Sequence, residues 1–186
     1  QDDKLLQKTF SLMRENLFGA QGYGLNSLGI NESVEALAAD DLRAFHAQLA
    51  VPNNAVIAVF GDIDSAQVRA DLETAFGLWK RGGDYQVPKL LACTQGKRRV
   101  ADQKDKEQAV AVLGFHGCTF FDEDRYALEL LGEACSDLGS RLFMRIREEL
   151  GLAYYVGAQS QPGMTPGSFS FYAGTSPEQL AQVEEE

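Results

Sequence analysis

The sequence is poor in the residues from which metal sites and nucleophilic centres are usually built. It has two histidines, His46 and His116, and neither has a second histidine or a glutamate at the spacing that would bring both to one metal ion. Its three cysteines contain no Cys-x-x-Cys pair, so they indicate neither a structural zinc site nor a disulfide framework. We therefore expect this chain to contain no catalytic residue, no metal site and no cofactor.

Two further absences limit the partners of the chain. The formal net charge is −10, and the densest basic cluster, residues 97–99, is short, whereas nucleic acids and anionic membranes require a basic face. No apolar run reaches the ~20 residues of a transmembrane helix, and no signal peptide is visible. These features predict a soluble protein without a membrane span that does not bind nucleic acid. Its compartment stays open between the bacterial periplasm and the cytoplasm.

One local pair could carry chemistry by itself. His116 and Cys118 lie two residues apart at the end of a predicted strand and so share a face. A Cys–His nucleophile pair needs the imidazole at hydrogen-bond distance from the sulfur and a third group that orients it. Nothing marks that third group. A packed histidine beside a buried thiol is the alternative, and a stand-alone enzyme is the weaker interpretation.

Helical patterns are what the sequence has in abundance. Apolar residues recur at helical spacing over residues 4–18, and Gly19 follows as a stop. Asp64 followed by Gln67 predicts a capped helix that ends near Gly77. Further helices are expected where capping residues precede apolar repeats. They begin near Asn31, Asp40, Asp122, Ser140 and Ser176.

Strands are predicted between these helices. Residues 55–60 are a continuous apolar, β-branched run, typical of a strand buried on both faces. Residues 97–101 and 108–115 read as two more strands, and we expect the second to be central. Residues 153–161 and 168–173, joined by a Pro- and Gly-containing loop, predict an antiparallel hairpin. The class is α+β, with a mostly antiparallel sheet and helices packed on it.

Two ordered sets of residues are similar to one known family. The first set is Tyr23-Gly24, Leu28-Gly29, Glu32-Ser33, Leu37, Asp41-Leu42, Phe45, Pro52, Asn54, Val59, Gly61-Asp62 and Asp64. The second set is Ser140-Arg141-Leu142-Phe143, Ile146-Arg147-Glu148, Gly151-Leu152-Ala153-Tyr154 and Val156. In this order they resemble the signatures of the insulinase/pitrilysin/mitochondrial-processing-peptidase type of zinc peptidase, in its C-terminal non-catalytic region. The chain departs from the usual motif at Gln21-Gly22, where many members have His-Pro.

The resemblance implies a clamshell of repeated α+β domains, of which this chain is a fragment. Residues 1–79 would be the tail of a first repeat domain, 80–97 a linker and 98–186 the head of a second. The chain starts and stops within apparent elements, which also suggests an excised piece. In such proteins an inverted His-x-x-Glu-His binds zinc in one half, and the other half grips the substrate.

The resemblance also implies the site residues and the partners. Arg147 and Tyr154 would hold a peptide or unfolded polypeptide by donating hydrogen bonds to its carbonyl groups. Zinc would belong to a catalytic half, in the same chain or in a partner subunit, and this chain would be inactive alone. Two alternatives remain: Arg147 as a surface helix charge with Tyr154 in the core, and a catalytically inactive scaffold or assembly subunit of the same family.

Overall fold

The computed structural model describes residues 5–86 and 96–186, which fall into two compact units. Of the described residues, one unit comprises 5–28 and 96–186, and the other comprises 29–86. The predicted linker lies partly outside the described residues, at 87–95, and the domain boundary within 80–97 stays a prediction. None of the described helices has both the length and the apolar character that crossing a bilayer requires.

The larger unit is built on a three-stranded antiparallel sheet. Its strands are β1 (Ala109–His116), β2 (Tyr155–Gln161) and β3 (Ser168–Thr175), in the order β1-β3-β2. The predicted hairpin is confirmed, because β2 and β3 pair from Tyr155 with Gly174 to Gln161 with Ser168. The expected central position of the 108–115 strand is wrong. In the described part of the sheet, β3 pairs on both sides and β1 lies at an edge.

Different helices cover the two faces of this sheet. Helix α1 (Leu5–Phe18) packs on β1, and its Phe10 ring meets Tyr172 of β3 edge-on at 5.7 Å. On the opposite face, Ala173 joins a core made with Ile146, Leu152 and Val183. Because neighbouring strand residues point to opposite faces, Tyr172 and Ala173 connect the sheet to both layers.

Helix α5 (Asp124–Ser136) packs on β2. There the Ser136 hydroxyl accepts from the Ala158 N–H and donates to the Ala158 carbonyl oxygen. Three large apolar side chains of this helix, Tyr126, Leu130 and Leu131, are exposed. In the described residues, small groups, Gly132 and Ser136, lie closest to the sheet instead.

The smaller unit is made of helices and extended segments. Its helices are α2 (Asn31–Glu35), α3 (Ala39–Leu49) and α4 (Ser65–Phe76). Asp64 caps α4 as predicted, accepting from the backbone N–H groups of Ala66 and Gln67. The side chain of Gln67 donates to Asp71 rather than closing a reciprocal box.

Two predicted strands are absent from the described residues. Residues 55–60 form no strand, and Val56 and Phe60 are 95% and 91% exposed, so burial on both faces is wrong for this chain. Residues 97–101 also lie outside any strand. A strand needs a neighbour to satisfy its backbone, and no described strand lies in the unit that contains 55–60.

The C-terminal elements belong to the larger unit. A short 3₁₀ turn, Pro177–Gln179, leads into α6 (Leu180–Glu185), whose Val183 is buried in the core. The Arg145 guanidinium donates to Glu186 at 3.0 Å, and both Glu186 and Glu149 hold the pKa of that guanidinium above its usual value. The exposed ion pairs therefore link α6 to the segment that carries Arg147.

Candidate functional site

The segment that carries Arg147 starts at a buried serine. Ser140 accepts the backbone N–H of Phe143 on its hydroxyl oxygen at 3.1 Å and the N–H of Met144 on its carbonyl oxygen at 2.9 Å. A serine at a helix start satisfies N–H groups that have no partner within the helix. Ser140 is therefore the structural start of this segment, as the sequence predicts.

The segment then widens into a π-helix, Phe143–Glu149. The N–H of Leu150 donates to the carbonyl oxygen of Arg145, five residues back, at 3.1 Å. Gly151 ends the segment in the left-handed region, at φ +62°, which other residues rarely adopt. Single π-helical turns are rare and are frequent at functional sites. The geometry turns Ile146 into the core and leaves Arg147 at the surface.

Arg147 has two neighbours that hold its side chain. Its guanidinium carbon lies 4.8 Å from the centre of the Phe143 ring, four residues back, in a cation–π contact. Its Nε lies 3.9 Å from the Glu148 carboxylate, at the long end of an ion pair. The side chain is 44% exposed. Among the described residues, the terminal N–H groups of Arg147 donate no hydrogen bond.

Tyr154 is held by its backbone and free at its side chain. Its N–H donates to the carbonyl oxygen of Gly174 at 2.8 Å, just before β2 begins. The side chain is 56% exposed, and its hydroxyl has no hydrogen-bond partner in the part of the chain that the structure describes. The alternative in which Tyr154 lies in the core is therefore wrong.

Tyr155, the next residue, is directed differently. It pairs with Gly174 across the strands, and a side chain at position 174 would overlap the Tyr155 ring. Burial, and then the nearby Tyr172, raise the pKa of the Tyr155 hydroxyl above its usual 10.0. The Tyr155 ring lies against Gly174. Since successive residues of an extended chain point to opposite sides, the Tyr154 side chain points to the exposed side.

A short buried connection joins the two candidate residues. Gly151, Leu152 and Ala153 lie between the π-helix and Tyr154, and the last two are buried. The N–H of Gly151 donates to the Arg147 carbonyl oxygen at 3.1 Å, and the N–H of Leu152 donates to that of Ile146 at 2.9 Å. The backbone thus fixes both ends of the connection, and no hydrogen bond joins the two side chains within the described chain.

Arg147 and Tyr154 place hydrogen-bond donors at the surface. The pair offers a guanidinium and a phenol, and it contains no nucleophile beside a base. Within residues 5–86 and 96–186, no group of three or more His, Cys, Asp or Glu side chains is placed to hold a metal ion. The guanidinium N–H groups and the phenol O–H can donate hydrogen bonds to acceptors such as carbonyl oxygens.

His116 and Cys118 have different surroundings in the structure. The His116 ring packs edge-on against Phe18 at 5.7 Å, and Cys118 is buried. No hydrogen bond joins the imidazole to the thiol in the described residues. His46, the other histidine, lies exposed in the last turn of α3.

The contribution of Phe143 was missed at the level of sequence. It lies four residues before Arg147, a spacing at which helical side chains meet, so the pattern itself could have indicated the contact. The roles of Gly174 and Thr175 had no such local signal, because their contacts are to Tyr154 and Leu152 across the sheet.

Comparison with known proteins decides the family. The family model described as "Peptidase M16 inactive domain" matches residues 36–186, which include both Arg147 and Tyr154. The chain belongs to the peptidase M16 family. Within that family it is an inactive C-terminal domain region of a zinc-protease-type protein, which confirms the resemblance seen in the two motif sets.

Two bacterial M16 relatives are similar over most of the chain. An uncharacterised zinc protease of Streptomyces coelicolor is 32% identical over 182 residues, covering 92% of this chain and 39% of the relative. The uncharacterised zinc protease YmxG of Bacillus subtilis is 30% identical over 175 residues, covering 94% of this chain and 42% of the relative. The chain therefore spans about two fifths of the length of these relatives.

Two solved structures share the fold. The peptidase M16 inactive domain from Pseudomonas fluorescens superimposes with a TM-score of 0.85 at 23% identity, covering 100% of this chain and 46% of that chain. A protease from Helicobacter pylori gives a TM-score of 0.80 at 19% identity, covering 99% of this chain and 48% of that chain. The α+β class with an antiparallel sheet is thus confirmed.

Proposed function

We propose that this chain is the non-catalytic, substrate-binding part of a zinc metalloendopeptidase of the pitrilysin/insulinase type. It would act on peptides or unfolded polypeptides only together with a zinc-bearing half, in the same chain or in a partner subunit. The observation that carries the proposal is that Arg147, in contact with the Phe143 ring, and Tyr154 are both exposed at the two ends of a short connection whose Leu152 and Ala153 are buried.

The donors suit an extended peptide. An arginine presents several N–H groups in a planar fork, and its stacking on Phe143 restricts the plane in which the fork lies. The Tyr154 hydroxyl adds one more donor on a rigid ring. Carbonyl groups of an extended chain are acceptors that require such donors, and an aligned donor can also stabilise the charge that develops on a scissile carbonyl. The zinc and the attacking water would come from the other half.

The experiment is a kinetic comparison in the protein assembled with its zinc-bearing half. We expect Arg147→Ala to lower kcat/KM on an internally quenched peptide by about 10- to 100-fold, because a charge-assisted hydrogen bond is lost. Tyr154→Phe should lower it by about 3- to 10-fold, since one neutral hydrogen bond is lost. Far-UV circular dichroism checks that both variants remain folded.

Arg145→Ala is the matched control. Arg145 lies two residues before Arg147 in the same π-helical segment, and its guanidinium is engaged with Glu149 and Glu186. Removing it changes the charge equally but leaves Arg147 and Phe143 in place. If kcat/KM is unchanged in both Arg147→Ala and Tyr154→Phe, the substrate-binding role is wrong.

An assembly role is the second candidate, and exposed apolar side chains favour it. Tyr126, Leu130 and Leu131 line the outer side of α5 without cover in the described chain. A scaffold subunit would bury such a surface against other chains. In that case Leu130→Lys should abolish association with the assembly, whereas Arg147→Ala should have no measurable consequence.

A further inference from the structure

Thr175 is the most deeply buried side chain of the larger unit and is polar. It lies at the end of β3, its accessible surface is 0%, and its hydroxyl donates a hydrogen bond to the carbonyl oxygen of Leu152. The bond spans 23 residues of sequence. A buried hydroxyl that makes a single long-range bond of this kind fixes the position of its acceptor.

The acceptor lies in the connection between Arg147 and Tyr154. Leu152 donates its own N–H to Ile146, the residue before Arg147, at 2.9 Å. Two residues later, the Tyr154 N–H donates to Gly174, the residue before Thr175, at 2.8 Å. Thr175 is thus the only described side chain that hydrogen-bonds to the backbone of residues 151–154.

Removal of this hydroxyl would leave the Leu152 carbonyl oxygen without its partner in the core. The connection would then shift to find another donor, because an unsatisfied buried carbonyl group is costly. A shift there changes the spacing between the two ends of the connection. Hydrogen bonds weaken steeply with distance and angle, so a peptide held by donors on both ends would feel a displacement of well under 1 Å.

We propose that Thr175 is a positioning residue that sets the spacing of Arg147 and Tyr154 for one extended peptide. This inference rests on the proposed substrate-binding function. Thr175 itself touches no substrate. Its effect on affinity passes through the Leu152 carbonyl group.

The test uses two pairs of side chains of similar size, Thr with Val and Ser with Ala, at position 175 in the protein assembled with its zinc-bearing half. Thr175→Val removes the hydroxyl and keeps the volume, and Thr175→Ser keeps the hydroxyl. We expect Val to lower kcat/KM on an internally quenched peptide by about 3- to 10-fold, mainly through KM, and Ser to stay within about twofold. If Val does not fold, Thr175→Ala compared with Thr175→Ser isolates the same hydroxyl in smaller side chains.

A second measurement separates positioning from a loss of stability. In a protein that already carries Arg147→Ala and Tyr154→Phe, the Val substitution should change kcat/KM by less than about twofold, because no donors remain to be positioned. A purely structural role would give the same factor in both backgrounds. Ser136→Ala is the control, since it removes a hydroxyl bonded to the Ala158 backbone at another place on the sheet, and it should leave KM unchanged.

The outcomes are distinct. If Arg147→Ala and Tyr154→Phe impair cleavage but Thr175→Val does not, this inference is overturned and the proposed function stands. An equal effect of Val in both backgrounds also overturns it. If Arg147→Ala and Tyr154→Phe have no effect, the proposed function fails and the inference fails with it.

Discussion

Arg147 shows how much the use of one side chain depends on its neighbour. A free arginine on a helix surface samples many rotamers and loses that freedom when it binds. The Phe143 ring, 4.8 Å from the guanidinium carbon, restricts those rotamers before any ligand arrives. The ion pair with Glu148 is long, at 3.9 Å, and solvent-exposed, so it costs little to break. Arg147 is therefore both held and available.

Asp122, just before α5, supports a prediction about pH. The backbone N–H of Thr119 donates to its carboxylate at 2.7 Å and the Thr119 hydroxyl at 2.8 Å, and these bonds lower the pKa of Asp122 below its usual 3.8. A lowered pKa in the folded state adds stability above the unfolded pKa and loses it as the pH falls through the folded value. We expect Asp122→Asn to be less stable than the wild type at pH 7, with a difference that shrinks below about pH 4.

Urea unfolding at pH 7, 5, 4 and 3 measures that difference. Asp124→Asn is the control, because it removes the same charge from the first turn of α5 without touching Thr119. A difference between the wild type and Asp122→Asn that is constant down to pH 3 would show that the Thr119 bonds do not depend on the charge of Asp122.

Residue roles divide by the distance over which they act. Arg147 and Tyr154 could be named from the sequence because a motif resemblance marks them, and Phe143 could have been named from helical spacing. Thr175 could not, since the side chain reads as one more strand threonine until β3 is paired. Its partner, Leu152, lies 23 residues away and is chosen by the sheet register.

Elements whose signals are local were predicted closely. The helix over 4–18 is observed as Leu5–Phe18, and the helix after Asp64 is observed as Ser65–Phe76. The final hairpin is observed at Tyr155–Gln161 and Ser168–Thr175. In each case capping residues, stops or a short loop fix the element without help from distant parts of the chain.

Elements that need distant partners were predicted less well. The apolar run 55–60 has the composition of a buried strand, but a strand forms only where a neighbour supplies hydrogen bonds. β1 is apolar throughout, which suggested a central place, yet β3 lies between the other two strands. An apolar composition indicates that such a segment should be buried, but it does not identify the element that packs against it.

Val51 and Val56 allow a direct test of how the smaller unit is packed. Val51 is buried, whereas Val56 is 95% exposed. We expect Val51→Ala to lower the free energy of unfolding by about 1–2 kcal/mol, from lost burial of methyl groups. The same change at Val56 should cost less than about 0.5 kcal/mol.

The single tryptophan makes this measurable. Trp79 lies in the smaller unit, 5.8 Å from the Phe76 ring, so its fluorescence during urea unfolding reports on that unit. Val51→Ala and Val56→Ala thus form a matched pair with the same chemistry and different burial. Equal costs at the two positions would mean that residues 55–60 are covered in solution.

At the scale of the whole molecule, what the chain lacks matters as much as what it has. It belongs to a family whose relatives are named zinc proteases, and it spans about two fifths of their length. Its described residues include the exposed donors Arg147 and Tyr154 and contain no group of three or more His, Cys, Asp or Glu side chains placed to hold a metal ion. Under the proposed function, binding and hydrolysis are divided between this chain and a zinc-bearing half.

If binding and hydrolysis are divided in this way, the isolated chain should contain little zinc. The isolated chain, dialysed against micromolar zinc and then against metal-free buffer, should carry well under one zinc per chain by plasma mass spectrometry. Stable zinc sites need three or four nitrogen, sulfur or carboxylate ligands at about 2.0–2.3 Å, and isolated histidines such as His46 and His116 hold zinc weakly. The protein assembled with its zinc-bearing half is the control and should carry one zinc per assembly. Tight one-to-one zinc in the isolated chain would refute the division, because the metal would then reside on the half assigned to binding.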